Sequence, residues 1–351
     1  MTDPTTPPQS DTEGHRAWLC AAWGEPEDLV LGQLPRQPCR AGNVAIRAEA
    51  WGVNFADNVL VAGHYQARPA FPFAPGMEVA GTVEETGNGV SEFQVGDRVA
   101  AYVEFGGYAD RVIAPAPNIA RLPDTVSWTE AAAFPVPYAT ASLALRRADL
   151  SPGETILVGG AGGAVGSAGV ELAKLAGATV IAVASSDAKA QIARSCGADH
   201  VLSSTSDGLR DDVMALVPTG VDVVLDPIGG PFFRSAFRAL GYGGRIVSLG
   251  LASGDIPSVP VNHILVKHVS VVGSSLGLTC LEDPATVSAL WPPLVDRLAK
   301  REIRPRVTEV MPFDQLPRAL RLLADRALAG RIVLTPGADV RTDAQRPGHA
   351  R

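Results

Sequence analysis

Cysteine is scarce in this chain. There are four, Cys20, Cys39, Cys196 and Cys280, and no two form a CxxC pair. Their wide spacing suits reduced, partly buried thiols in a cytosolic protein. No apolar run reaches the roughly 18 residues a membrane span needs, so no membrane partner is expected. The opening stretch, residues 1–14, lacks a basic region followed by an apolar one, which argues against a signal peptide and for a cytoplasmic location. Positive charge is also in deficit: 30 Lys and Arg stand against 37 Asp and Glu, a net charge of −7. Nucleic-acid binding needs a basic face, so no nucleic-acid partner is expected either.

What is present reads as a globular protein of more than one core. Hydrophobic residues make up 46% and charged residues 19% of 351 positions. A chain of that length is expected to divide into two domains. The 36 Gly and 28 Pro are scattered between apolar runs, as in the turns of a β-rich domain. Residues 1–14 and 337–351 are polar and are expected to be disordered tails.

From Arg16 to Leu122 the apolar runs are short and bounded by Gly, Pro and Asn, which predicts a compact all-β region. The pattern changes near Ser127. Residues 128–134 and 139–148 read as helices, the first with Ser127 as N-cap and Glu130 three residues on. Strands and helices then alternate: strands at 155–158, 179–184, 199–202, 221–226 and 245–249, with helices at 165–176, 188–196 and 232–240 between them. Such alternation implies a doubly wound parallel sheet. A long helix is expected over 284–300, then a strand at 307–310, a helix at 316–327 and a strand at 331–334 that returns to the first domain. The expected division is 15–137 for the β-rich domain, 138–275 for the nucleotide domain and 276–336 for the return.

The loop from Gly159 to Gly166 follows a strand and opens a helix. It reads Ala161-x-Gly163-x-x-Gly166. Glycines permit a tight turn and close backbone approach to a pyrophosphate, and the helix N-terminus favours the anion. Gly160, Gly163, Ala164, Val165 and Gly166 are therefore the expected cofactor-binding residues. No Lys-Ser/Thr pair closes the motif, so it is not a P-loop. An NAD site usually ends its second strand with an acid, about 20 residues on. Here Ala184 takes that place, and Ser185 and Lys189 follow, able to receive a 2′-phosphate. This favours NADPH, with Asp187 as the residue that would favour NADH instead.

Several segments then resemble one superfamily. They are Gly52-Val53-Asn54-Phe55-Ala56-Asp57, Pro75-Gly76-Met77-Glu78-Val79-Ala80-Gly81, Val95-Gly96-Asp97-Arg98-Val99, Gly163-Ala164-Val165-Gly166 and Gly330-Arg331-Ile332-Val333-Leu334. Together they resemble the medium-chain dehydrogenase/reductase superfamily, and within it the zinc-independent quinone oxidoreductase branch that includes zeta-crystallin. The resemblance implies an α/β protein with a GroES-like β-rich catalytic domain and a Rossmann domain. Zinc-dependent relatives carry an early Cys and a Gly-His-Glu segment. Here 54–58 has no Cys and Met77 replaces the His; a thioether is a poor zinc ligand, so no metal is expected.

By the same likeness Asn54 and Tyr65 should face the cleft near the nicotinamide as catalytic residues. Asn54 would hydrogen-bond a carbonyl or the ribose, and Tyr65 the substrate oxygen. Thr140 should touch the nicotinamide end, and Gly250 lies at a C-terminal strand edge where ligands bind. Two departures stand out. Val59 replaces a Tyr common in the family and makes the pocket less polar. Ser203-Ser204 replaces an Asn-Tyr pair near the adenosine phosphate. His64, His263 and His268 have no spacing that suggests a metal or a triad. The implied activity is hydride transfer from NADPH to a quinone or an α,β-unsaturated carbonyl. The alternative is an enoyl-thioester reductase of the acryloyl-CoA type, which needs a basic entrance from Arg68, Arg111, His64 or Lys267. A non-catalytic cofactor-binding protein is the third reading. A homodimer paired through the apolar run 269–273 is expected.

Overall fold

The computed structural model describes residues 14–203, 208–326 and 328–337. The expected tails lie outside the described residues, apart from Gly14 and Gly337. The chain opens on an antiparallel hairpin, β1 (His15–Leu19) with β2 (Val30–Leu34). There follow β3 (Asn43–Val53), α1 (Phe55–Val61), β4 (Glu78–Thr86), β5 (Arg98–Tyr102), β6 (Arg111–Pro115) and β7 (Ile119–Arg121). The helix α1 interrupts the expected all-β stretch. Its cause is local: the Asn54 side chain faces the backbone of Asp57, and the Asp57 carboxylate accepts from Asn54 N at 2.8 Å.

Next come α2 (Trp128–Ala132) and α3 (Pro135–Arg147). The Ser127–Glu130 capping box forms as its spacing predicts. The second helix starts earlier than expected because Pro135 sits at its first position, where the missing N–H has no intrahelical role.

The nucleotide domain follows: β8 (Thr155–Val158), α4 (Ala164–Leu175), β9 (Thr179–Ala184), α5 (Asp187–Ser195), β10 (His200–Ser203), α6 (Leu209–Leu216), β11 (Val221–Asp226), α7 (Gly230–Ala239), β12 (Leu240–Ser248), α8 (Val261–Lys267) and β13 (Ser270–Gly273). Among the described residues its strands form one parallel sheet in the order β10-β9-β8-β11-β12-β13. Central strands such as Thr155–Val158 and Val221–Asp226 are apolar on both faces because helices cover both. The chain order reverses between β8 and β11. The C-terminal strand ends at such a reversal are the usual ligand position in these sheets.

The last segment holds α9 (Leu276–Glu282), α10 (Pro284–Ser288), α11 (Trp291–Ala299), β14 (Val307–Pro312), α12 (Leu316–Ala324) and β15 (Arg331–Thr335). The single helix expected over 284–300 is two helices. Pro292 and Pro293 lie in the first turn of α11 and donate no backbone hydrogen bonds to the preceding turn. β15 pairs antiparallel with β3 and parallel with β14, so the chain rejoins the sheet it began. Trp51 and Phe313 seal this junction with ring centroids 4.2 Å apart, and Trp18 Nε1 donates to Phe313 O at 2.9 Å. Among the described residues no helix is long and apolar enough to cross a membrane.

Candidate active site

The glycine-rich loop follows β8 beside the end of β11, and Gly159 N donates to Leu225 O at 3.0 Å. Gly160 turns the chain at φ +59°, and Gly163 N closes the turn on Gly160 O at 2.9 Å. A side chain at Gly166 would collide with the carbonyl of Gly160, so glycine is required for the close approach of helix and loop. Gly163 is the N-cap of α4, and no side chain caps that end. The N–H groups of Ala164, Val165 and Gly166 lie in the first turn, which has no intrahelical acceptors. Outside Gly163 the space is open, since a methyl placed there would meet only Gly160 O, at 3.3 Å. This loop fits a pyrophosphate.

The edge of the site is built at the end of β9. Ala184 is buried and Ser185 is exposed. Ser186 caps α5 by accepting from Lys189 N. The Lys189 ammonium lies 3.4 Å from Ser185 Oγ and donates to Arg326 O at 3.1 Å. Partial burial, and then the positive charge of Arg326, push the Lys189 pKa down. Arg326 follows α12 at φ +54°, and its guanidinium donates to Ala252 O at 2.8 Å. Gly330 N donates to Gly162 O at 3.1 Å, so the return segment folds over the cofactor loop. Two cations and a hydroxyl thus meet beside the strand end that lacks an acid. Ser203 ends β10 exposed; Ser204 lies outside the described residues.

On the catalytic-domain side, Asn54 is buried within a polar network. Its Nδ2 donates to Glu78 Oε1 at 2.9 Å, and Arg331 Nη1 donates to its Oδ1 at 2.9 Å. Arg331 Nη2 also pairs with Glu78 Oε1, and Val136 N donates to Glu78 Oε2 at 2.9 Å. Beside them, Tyr108 OH donates to Asp57 Oδ2 at 2.5 Å. Complete burial pushes the Asp57 carboxyl up to about 7. Asn54 therefore differs from the expected open cleft residue. Both of its polar atoms already have protein partners, and one amide N–H is left over.

Tyr65 is half-buried just beyond α1, and burial followed by the charge of Glu104 raises its phenol pKa. Thr140 is half-exposed on α3. Gly250 packs against the loop after β11: a methyl there would stand 2.8 Å from Pro227 O. Met77 is buried. Among the described residues no group of three or more His, Cys, Asp or Glu side chains is arranged to hold a metal.

Residues 40–124 match the family of alcohol dehydrogenase GroES-like domains, and residues 164–299 match the family described as zinc-binding dehydrogenase. Quinone oxidoreductase-like protein 2 of Bos taurus is 38% identical over 324 residues, 92% of each chain. The quinone oxidoreductase of Thermus thermophilus, solved also in complex with NADPH, is 37% identical with a TM-score of 0.78, covering 91% of this chain and 99% of that one. That of Pseudomonas syringae pv. tomato is 29% identical with a TM-score of 0.84, covering 92% and 100%. This chain belongs to the quinone oxidoreductase branch of the medium-chain dehydrogenases/reductases. It is an NAD(P)H-using oxidoreductase with a GroES-like domain and a Rossmann domain.

Two features of this quinone oxidoreductase relative escape its linear sequence. Arg326 has no motif around it; only the fold carries it to Lys189. Tyr102 reads as one more apolar residue at a strand end, yet its hydroxyl reaches the region of Tyr65. Of the four basic residues considered for a thioester substrate, two are engaged elsewhere, and His64 and Arg68 are exposed. Arg111 is buried and bonded to Glu85 and Gln37 O, and Lys267 donates to the carbonyls of Arg238 and Leu240. Arg68 lies over the Trp23 ring, 5.3 Å from its centroid.

Proposed function

We propose that this protein is an NADPH-dependent, zinc-independent reductase that transfers hydride to a quinone or an α,β-unsaturated carbonyl. The observation that carries the reading is the cluster of Ser185, Lys189 and Arg326 at the end of a strand where Ala184 replaces the acid. An acid there would bind the ribose 2′-OH and repel a 2′-phosphate, whereas two cations and a hydroxyl attract it. The NADPH complex named for the Thermus thermophilus relative supports the same choice.

Bound NADPH supplies the hydride. The chain supplies position: backbone N–H groups from Ala164 to Gly166 hold the pyrophosphate, and Thr140 and Gly250 border the nicotinamide end. Tyr65 donates a hydrogen bond to the substrate oxygen. With Met77 where zinc-dependent relatives have a ligand His, the substrate's own conjugated carbonyl provides the electron sink. The test is a set of initial rates with NADPH or NADH against quinones, enones and enoyl-CoA thioesters. NADPH oxidation by quinones or enones is expected. Turnover confined to the CoA thioesters would replace this reading, and oxidation of neither cofactor would overturn it.

We also propose a homodimer. β13 is the edge strand of the parallel sheet, and Val271 on it is 40% exposed. Val261, Leu265 and Val266 of the neighbouring α8 are more than two-thirds exposed. An unpaired edge beside exposed apolar side chains favours pairing with a second copy. Sedimentation equilibrium is expected to return twice the chain mass. A single-chain mass at micromolar concentration would rule the pairing out.

A further inference from the structure

Three elements that are distant in sequence meet at one point. Tyr102 ends β5, Tyr65 and Gln66 follow α1, and Gly277 lies in α9, just past the C-terminal end of β13. A methyl placed on Gly277 would stand 3.0 Å from the Tyr102 hydroxyl oxygen, 3.4 Å from Gln66 Nε2 and 3.8 Å from the Tyr65 hydroxyl oxygen. The missing side chain leaves a small space on which two hydroxyls and an amide converge. Tyr102 is 3% exposed, and its hydroxyl makes no hydrogen bond among the described residues. The Tyr65 hydroxyl lies beside it, close enough for the two phenols to interact. Buried polar atoms in native folds have partners, so this buried hydroxyl, with no well-formed partner of its own, marks a place for a ligand atom.

The chemistry of that atom follows from what faces it. Burial, aided by Glu104 and Cys280 nearby, raises the pKa of both phenols, so both keep their protons at neutral pH and act as donors. Two donors aimed at one point suit an oxygen that gains negative charge.

We infer that the space over Gly277 holds the substrate's carbonyl oxygen and that Tyr102 is a catalytic residue that donates a hydrogen bond to it together with Tyr65. The inference rests on the reductase reading above and deepens it. When hydride from NADPH forms the new C–H bond at the β-carbon of an enone, the C=C π pair shifts toward the carbonyl. The C=O π pair moves onto oxygen. NADPH is oxidised by two electrons, the substrate is reduced by two, and the enolate oxygen lies between the two phenols. Its charge is discharged when the α-carbon takes a proton from water. A quinone behaves alike, its oxyanion taking the solvent proton directly. Any side chain at position 277 would occupy the oxygen's place.

The test uses 4-nitrophenolate as a stable enolate mimic, titrated calorimetrically into the full-length protein with and without NADP⁺. Enone reduction is followed in parallel. Tyr102→Phe keeps the ring, and an unchanged thermal midpoint shows that it folds. It is expected to weaken 4-nitrophenolate binding about tenfold and to lower kcat/KM about tenfold or more, mostly through kcat, because the oxygen is more charged in the transition state. NADPH affinity should not move. Gly277→Ala is expected to weaken the mimic as much by filling the space. The double variant should lose little beyond either single one, since both act on one place. Wild-type protein that does not bind 4-nitrophenolate, or Tyr102→Phe that binds and turns over normally, would overturn the inference. If no quinone or enone is reduced at all while Tyr102→Phe still weakens the mimic, the reductase reading fails and the oxygen site stands.

Discussion

Replacing Arg331 with methionine is expected to destabilise the folded protein by about 3–5 kcal/mol, the range for removing one partner of a buried ion pair. Arg331 is 2% exposed, and its partner Glu78 is fully buried. The guanidinium bonds Glu78 and Asn54 at once, so it ties β15 of the return segment to the start of β4 and to the cap of α1. Glu78 in turn receives the amide of Val136 at the start of α3. Methionine matches the length of the arginine stem but leaves the Glu78 carboxylate buried without a counter-charge. Coulombic attraction would be lost while the desolvation cost of the anion remained. The double variant Glu78→Gln/Arg331→Met removes both charges and should recover much of the loss. Urea unfolding curves measure both variants. A single variant within about 1 kcal/mol of wild type would show that this pair does not hold the sheet closed.

The second large effect is on the choice of cofactor. Lys189→Ala and Arg326→Ala should each raise the KM for NADPH roughly 10- to 100-fold and leave the KM for NADH nearly unchanged. A hydrogen bond to a charged group contributes about 1.5–3 kcal/mol, and about 1.4 kcal/mol is a factor of ten. Only NADPH carries the 2′-phosphate that these cations would meet. Arg326→Ala keeps the backbone carbonyl that accepts from Lys189, so it tests the guanidinium and not the placement of the lysine. Initial rates at saturating quinone with each cofactor give the comparison. Equal changes for NADPH and NADH, or none, would sink the role assigned to both residues.

Much of the molecule was readable locally. The Ser127–Glu130 cap, the strand–loop–helix around Gly163 and Gly166, and the doubly apolar strands of the parallel sheet all depend on neighbours within a few residues or on a simple period. The misreadings were local too. The helix read over 284–300 runs across Pro292 and Pro293, whose missing donors divide it. The β-rich stretch hides α1, because a seven-residue helix behind the Asn54–Asp57 cap is a short signal between strands. The short helices α6, α8 and α9 carry too few turns to announce themselves by periodicity.

The site was legible as a parts list and not as an arrangement. By itself the sequence determined the two-domain family, the phosphate loop, the missing acid at Ala184 and the methionine at position 77, because each is a matter of residue identity beside a recognisable element. Only the tertiary structure decided what those parts touch. Asn54 is engaged by Arg331 from 277 positions away, and Lys189 gains Arg326 from 137 positions away. Tyr102 meets Tyr65 where Gly277 leaves room. Contacts of this kind depend on how separate elements pack together, and no local spacing along the chain encodes that.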